Sequence, residues 1–367
     1  MTDVPPDDPY GQHEFTGART QHRPVSELAV ALSRWFRDGP PQEPAAAVSD
    51  VDVPAGGASS DLFLVRVTGL RGGDRRVAVR LEPSYAVYPV VDLEQQFRLA
   101  RAASEHSRAP VPRPLWYEAE PRWLGSAFIV TAAAPGLVGG DVLGGWPLAL
   151  SPDERRRLWE RSIEALASLH ACDLAAAGLH DGGLPVPGAS ALDRAIAYWE
   201  TYLRFVSHGD EFPLLERAVA RVRDERPDAV LPDALVWGDA RLGNMLFVDN
   251  EPSALLDFEF CHVGLREFDV AFFSLFDEIL AVHFMGAERL SGYPSHDESL
   301  DHYESVSGNP IRHRSYFTLM AGTYSALATT RVLQGRAAAG YVDPSLVHGH
   351  GPMKALAELL GASISEA

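Results

Sequence analysis

Residues 235–260 read LVWGDARLGNMLFVDNEPSALLDFEF, and three polar side chains stand out among their apolar runs: Asp239, Asn244 and Asp257. The runs Ala234–Trp237, Met245–Val248 and Ala254–Leu256 are bounded by turn residues, which predicts short buried strands. Asp249-Asn-Glu-Pro252 is dense in turn formers, so the second and third strands read as a hairpin with Asn244 and Asp257 at neighbouring strand ends. Two hard oxygen ligands beside a third carboxylate suit a cation such as Mg²⁺, which takes one or two protein ligands and leaves its other positions to water and phosphate oxygens. On that reading Asn244 and Asp257 are the metal ligands, and Asp239 faces the nucleophile.

A catalytic-loop Asp, an Asn five residues on and a later metal-binding Asp follow in the same order in protein kinases. The stretch resembles the aminoglycoside phosphotransferase and choline kinase superfamily, whose corresponding residues read His-Gly-Asp, four residues, Asn and later Asp-x-Glu. Trp237 stands at the histidine position. The resemblance implies an α+β, bilobal protein-kinase-like fold and a small-molecule kinase that uses ATP or GTP with Mg²⁺. It makes Asp239 the base for a substrate hydroxyl, and it adds Glu259, two residues after Asp257, as an acid that assists the metal. Asp269 corresponds to an aspartate that steadies the catalytic loop.

The length of 367 residues allows one large or two intimate domains, and 46% apolar residues is ordinary for a globular chain. The expected division is an N-terminal extension with one helix at 1–45, a β-rich, nucleotide-binding N-lobe at 46–133 and a mostly helical C-lobe at 134–367. Val25 to Phe36 carries Leu28, Leu32 and Phe36 at helical spacing and is the helix of the extension. Residues 51–81 read as a meander whose loop, Gly56-Gly-Ala-Ser-Ser60, is small enough for its backbone to approach phosphates, with Gly57 and Ser59 as the contacts. Arg80 on the third strand occupies the place of the phosphate-binding lysine. The following helix, about 92–105, offers Glu94 as its partner, preferred on charge, or Gln96. Thr131 and Ala133 lie in an extended hinge expected to offer main-chain hydrogen bonds to adenine. Ser151, Pro152 and Glu154 form a capping box that starts a helix running to about Ala171.

Charge and composition remove several classes of function. The formal net charge is −18, so the chain lacks the basic footprint that nucleic acid requires. A small hydroxylated acceptor is expected, and the acidic surface would draw a cationic one by steering. There is no run of transmembrane length and no signal-like start, and the two cysteines, Cys172 and Cys261, form no framework; a cytoplasmic protein is expected. Lys354 is the single lysine among 32 basic residues, which excludes any mechanism needing a lysine in the N-terminal half. Two rivals accompany the kinase reading. One is a catalytically silent nucleotide-binding scaffold, suggested by Arg80 and Trp237. The other is a metal-dependent hydrolase with Asp239, Asp257, Glu259 and His262 as ligands.

Overall fold

A computed structural model of the chain describes residues 24–54, 62–140 and 145–361. The loop carrying Gly57 and Ser59 lies outside the described residues. The chain divides into two compact units, one of residues 1–98, 112–133 and 332–344, the other of 99–111, 134–331 and 345–367.

The first unit is a sheet with a helix on it. Helix α1 (Val25–Asp38) precedes strands β1 (Ala47–Asp52), β2 (Leu62–Thr68) and β3 (Arg75–Leu81). Helix α2 (Leu93–His106), whose residues from 99 on belong to the second unit, and strands β4 (Pro114–Glu118) and β5 (Phe128–Ala132) follow. The strands pair antiparallel in the order β1-β2-β3-β5-β4. Alternation places Val65 and Val67, Val77 and Val79, and Phe128 and Val130 on one face, all 0% exposed. Leu28, Leu32, Trp35 and Phe36 of α1 close over that face. The spacing i, i+4, i+7, i+8 gives one apolar stripe, and burying each such side chain is worth about 1.5–3 kcal/mol. Trp35 meets Phe128 edge to face at 5.0 Å and donates its indole N–H to Glu118 Oε2 at 2.7 Å. Set apart as an extension in the sequence reading, α1 is therefore part of this core: its apolar stripe is the cover the sheet needs.

The second unit is mostly helical. It contains strand β6 (Leu137–Val138), helices α3 (Pro152–His170), α4 (Ala191–Ser207) and α5 (Pro213–Asp224), and strands β7 (Ala234–Val236), β8 (Met245–Val248), β9 (Glu251–Leu255) and β10 (His262–Gly264). Helix α6 (Arg266–Glu278) runs on into a π-helical segment (Ile279–Phe284), and α7 (His296–Ser307), α8 (Arg314–Ala338), α9 (Leu346–Gly349) and α10 (Gly351–Leu360) complete it, α8 giving its last residues to the first unit. The Ser151 capping box is formed, and Ser190–Asp193 and Ser295–Glu298 repeat it on α4 and α7. The last of these starts a helix inside 286–313, which reads only as a polar segment in the sequence. Strands β6, β8 and β9 form one small sheet and β7 with β10 another. The β8–β9 hairpin closes through Asp249 and Asn250 at φ +52° and +65°. Positive φ at both central residues is the two-residue turn that matches strand twist, and Asp and Asn tolerate it. Trp199 of α4, Phe260 and Tyr324 of α8 stack, with Tyr324 5.5 Å from Trp199 and 5.0 Å from Phe260. That stack fixes the segment between β9 and β10 against the helices.

Candidate active site

Strand β7 is buried throughout and pairs with β10, so the residues that leave its end have a fixed starting point. Gly238 makes the turn at φ +90°, and a Cβ there would lie 2.4 Å from the Phe260 carbonyl oxygen. Only glycine satisfies both conditions. The two amides at this turn point at one buried carboxylate: Trp237 N–H donates to Asp269 Oδ2 at 2.5 Å and Gly238 N–H to Oδ1 at 2.8 Å. Asp269 is in the first turn of α6 and is 0% exposed. His170 Nε2 lies 3.1 Å from its Oδ2, and the other ring nitrogen meets the Tyr303 hydroxyl at 2.8 Å. The expected steadying role of Asp269 therefore has a geometry, and His170 acts through it.

Asp239 follows, partly exposed. Its Oδ2 accepts from Asn244 Nδ2 at 2.7 Å and from Arg241 Nε at 3.1 Å. Arg241 also lies over the Phe276 ring at 5.7 Å. Its sequence signal is only its place two residues after Asp239, and the sequence reading assigned it no role. Asn244 ends a 3₁₀ turn (Leu242–Asn244) and is 6% exposed. Its Nδ2 donates a second time, to the Asp239 carbonyl at 2.9 Å. With the amide nitrogen committed, Oδ1 is the atom Asn244 has to offer a cation.

The backbone ties Asn244 to the Asp257 segment. Leu256 N–H donates to the Asn244 carbonyl at 2.8 Å, and the Leu256 carbonyl accepts from the Trp237 indole at 2.8 Å. Asp257 comes next at φ +57°, in the left-handed region. Non-glycine residues rarely occupy that region, and such conformations cluster at functional sites. An amide oxygen with one or two carboxylates is a hard donor set, so Asn244, Asp257 and the half-buried Glu259 fit Mg²⁺ in chemistry. The hydrolase set is not assembled: among the described residues no group of three or more His, Cys, Asp or Glu is placed to hold a metal. His262 is buried, its Nδ1–H is given to the Phe260 carbonyl at 2.8 Å, and burial lowers its pKa.

The remaining expected residues lie in the first unit. Arg80 of β3 donates to Gln96 Oε1, in a short contact, and Gln96 is 6% exposed. Glu94, preferred on charge, sits on the exposed side of α2. Residues two apart on a helix point to different sides, so only one of the pair can meet the strand. At the hinge, Thr131 pairs with Ala78 of β3. Ala133 N–H donates to the Arg76 carbonyl at 3.1 Å. That N–H is spent on the protein.

Several known proteins are similar to this chain. One solved structure is an aminoglycoside phosphotransferase, APH(4)-Ia, in a ternary complex with ADP and hygromycin B, at 15% identity and TM-score 0.57 over 91% of this chain and all of that one. Another is an ethanolamine kinase of Plasmodium vivax, at 15% identity and TM-score 0.58, covering 98% of this chain and 93% of that one. At these identities the likeness carries the fold, α+β and protein-kinase-like. Among curated proteins the human acyl-CoA dehydrogenase family member 11 is 25% identical over 269 residues, 72% of this chain and 33% of the relative. The Pongo abelii protein of that name is 25% identical over 301 residues, 80% of this chain and 37% of the relative. The chain thus spans about a third of the length of these relatives. The model described as "Phosphotransferase enzyme family" matches residues 50–298, the span that holds Arg80, Asp239, Asn244, Asp257 and Asp269, and the chain belongs to that family.

Proposed function

We propose that this phosphotransferase moves the γ-phosphoryl group of ATP, or of GTP, to a hydroxyl of a small molecule, with Asp239 as the base. The observation that carries the reading is the set of contacts on Asp239. Asn244 and Arg241 hold Oδ2, at 2.7 and 3.1 Å, which fixes the carboxylate plane and leaves Oδ1 for an acceptor hydroxyl. The acceptor gives its proton to Oδ1 as its oxygen bonds to the γ-phosphorus. The bond from that phosphorus to the β–γ bridging oxygen breaks, and ADP leaves with the electron pair. Mg²⁺ held by Asn244, Asp257 and Glu259 would neutralise charge on the phosphate oxygens. Arg80, oriented by Gln96, offers paired N–H donors to phosphate, a task open to arginine as well as lysine. Two buried, free thiols, Cys172 and Cys261, suit a reducing, cytoplasmic setting.

The acceptor panel follows from the relatives: hydroxylated antibiotics, ethanolamine-like alcohols, and hydroxylated acyl thioesters, since the curated relatives are named as acyl-CoA dehydrogenases. Transfer from γ-labelled ATP to each acceptor is measured for the parent and for Asp239→Asn. Loss of a general base lowers the rate about 10²- to 10⁴-fold. An Asp239→Asn chain with full turnover refutes the assignment. Arginine at the place of the phosphate-binding lysine favours a second reading, a chain that holds nucleotide without transferring phosphate. It predicts ATP binding by both forms and no phosphorylated acceptor.

A further inference from the structure

We infer that Trp237 is a positioning residue for the metal-binding Asp257, an inference that rests on the phosphotransferase reading. Trp237 is fully buried and is tied at both ends. Its main-chain N–H is held by Asp269, while its indole N–H reaches across 19 residues to the Leu256 carbonyl at 2.8 Å. Leu256 is thereby gripped on both sides, because its own N–H is bound by the Asn244 carbonyl at 2.8 Å. The carbonyl that the indole holds belongs to the peptide joining Leu256 to Asp257. Rotation from that peptide plane defines φ of Asp257, which stands at +57°. A free chain would let this peptide turn over and carry Asp257 into an ordinary conformation. The indole hydrogen bond opposes that turn, so the residue before Gly238-Asp239 also sets the direction of the metal carboxylate. One side chain thus couples the base to the cation site.

The test compares the parent with Trp237→Phe, which keeps an aromatic ring and deletes the donor, and Trp237→His, which keeps a donor on a smaller ring. ATP binding is measured by calorimetry across a Mg²⁺ titration and in EDTA, alongside thermal melting. Losing one net hydrogen bond of ordinary strength corresponds to roughly a 5-fold effect on an equilibrium. The inference expects Trp237→Phe to raise the Mg²⁺ concentration for half-maximal ATP binding about 5-fold, with ATP binding in EDTA unchanged and Trp237→His nearer the parent. Equal Mg²⁺ dependence in the parent and a folded Trp237→Phe overturns it, and so does equal weakening in both variants. A parent whose ATP binding ignores Mg²⁺ overturns the phosphotransferase reading itself, and the inference with it. Should the phenylalanine variant not fold, the indole N–H of the parent is followed by ¹⁵N NMR, assigned from the histidine variant. Slower exchange at that N–H on adding Mg²⁺ and ATP supports the inference, and unchanged exchange refutes it.

Discussion

Replacing Asp269 with asparagine tests whether the loop bearing Asp239 is held by a buried charge. The carboxylate takes two amide donors, at 2.5 and 2.8 Å, and has His170 Nε2 at 3.1 Å, all without solvent. Asparagine keeps one oxygen and turns an NH₂ group toward a donor. One charge-assisted hydrogen bond is lost, about 1.5–3 kcal/mol, and one buried N–H is left unsatisfied, about 1–3 kcal/mol. The sum, about 2.5–6 kcal/mol, is a large part of the ~5–15 kcal/mol that holds a typical domain together. Urea unfolding followed by tryptophan fluorescence reads the loss as a lower midpoint at unchanged slope. On the proposed function turnover should fall too, because the Trp237 and Gly238 amides orient the loop that carries Asp239. A loss below about 1 kcal/mol with parent-like turnover would show that the loop holds itself, and the argument fails.

Gly238→Ala combines a Cβ 2.4 Å from a backbone oxygen with φ +90°, so a loss of at least about 3 kcal/mol, or no folded protein, is expected; a melting temperature within about 2 °C of the parent contradicts it. His350 is 0% exposed, accepts from Met353 N–H at 3.3 Å and lies 2.8 Å from Thr330 Oγ1. Burial pushes its pKa down from an ordinary 6.5 to about 3. The unfolded chain therefore binds the proton first, and stability present above pH 6.5 falls as the pH drops from 6.5 toward 3. Between pH 7.5 and 5, His350→Gln should lose roughly 1–2 kcal/mol less than the parent in urea melts. Identical pH profiles would exclude His350 as a source of acid sensitivity.

The hairpin turn, the Ser151 cap and the spacing of Asp239, Asn244 and Asp257 were legible because each is written within a few residues. What stayed hidden depends on contacts between distant segments. Gln96 and Glu94 differ by a rotation of one helix against a sheet, and charge alone favours the wrong one. Arg241 becomes notable only when its guanidinium is seen on Asp239. Trp237 reads as a departure from the family pattern, yet its indole is the link to Leu256. The start of α7 did carry a signal, Ser295 three residues before Glu298, but its surroundings are too polar for an apolar stripe to announce the helix. The reverse happened at α1, whose stripe was plain while its partner face, assembled from β2, β3 and β5, was not.

The hairpin of β8 and β9 also bears on the order in which the molecule acquires its parts. Its two-residue turn makes it a local structure, and hairpins form in about 1–10 μs. The loop of Asp239 instead waits for Asp269 on α6 and His170 on α3, which are far apart in sequence, so its loop-closure entropy is higher. Asn244 and Asp257 should therefore come together before Asp239 is anchored. In kinetic terms, substitutions in the 249–250 turn will mainly slow refolding, whereas Asp269→Asn will mainly speed unfolding. Chevron plots with the two effects exchanged would refute that order. During folding Asn244 and Asp257 would then meet before Asp239 is in place.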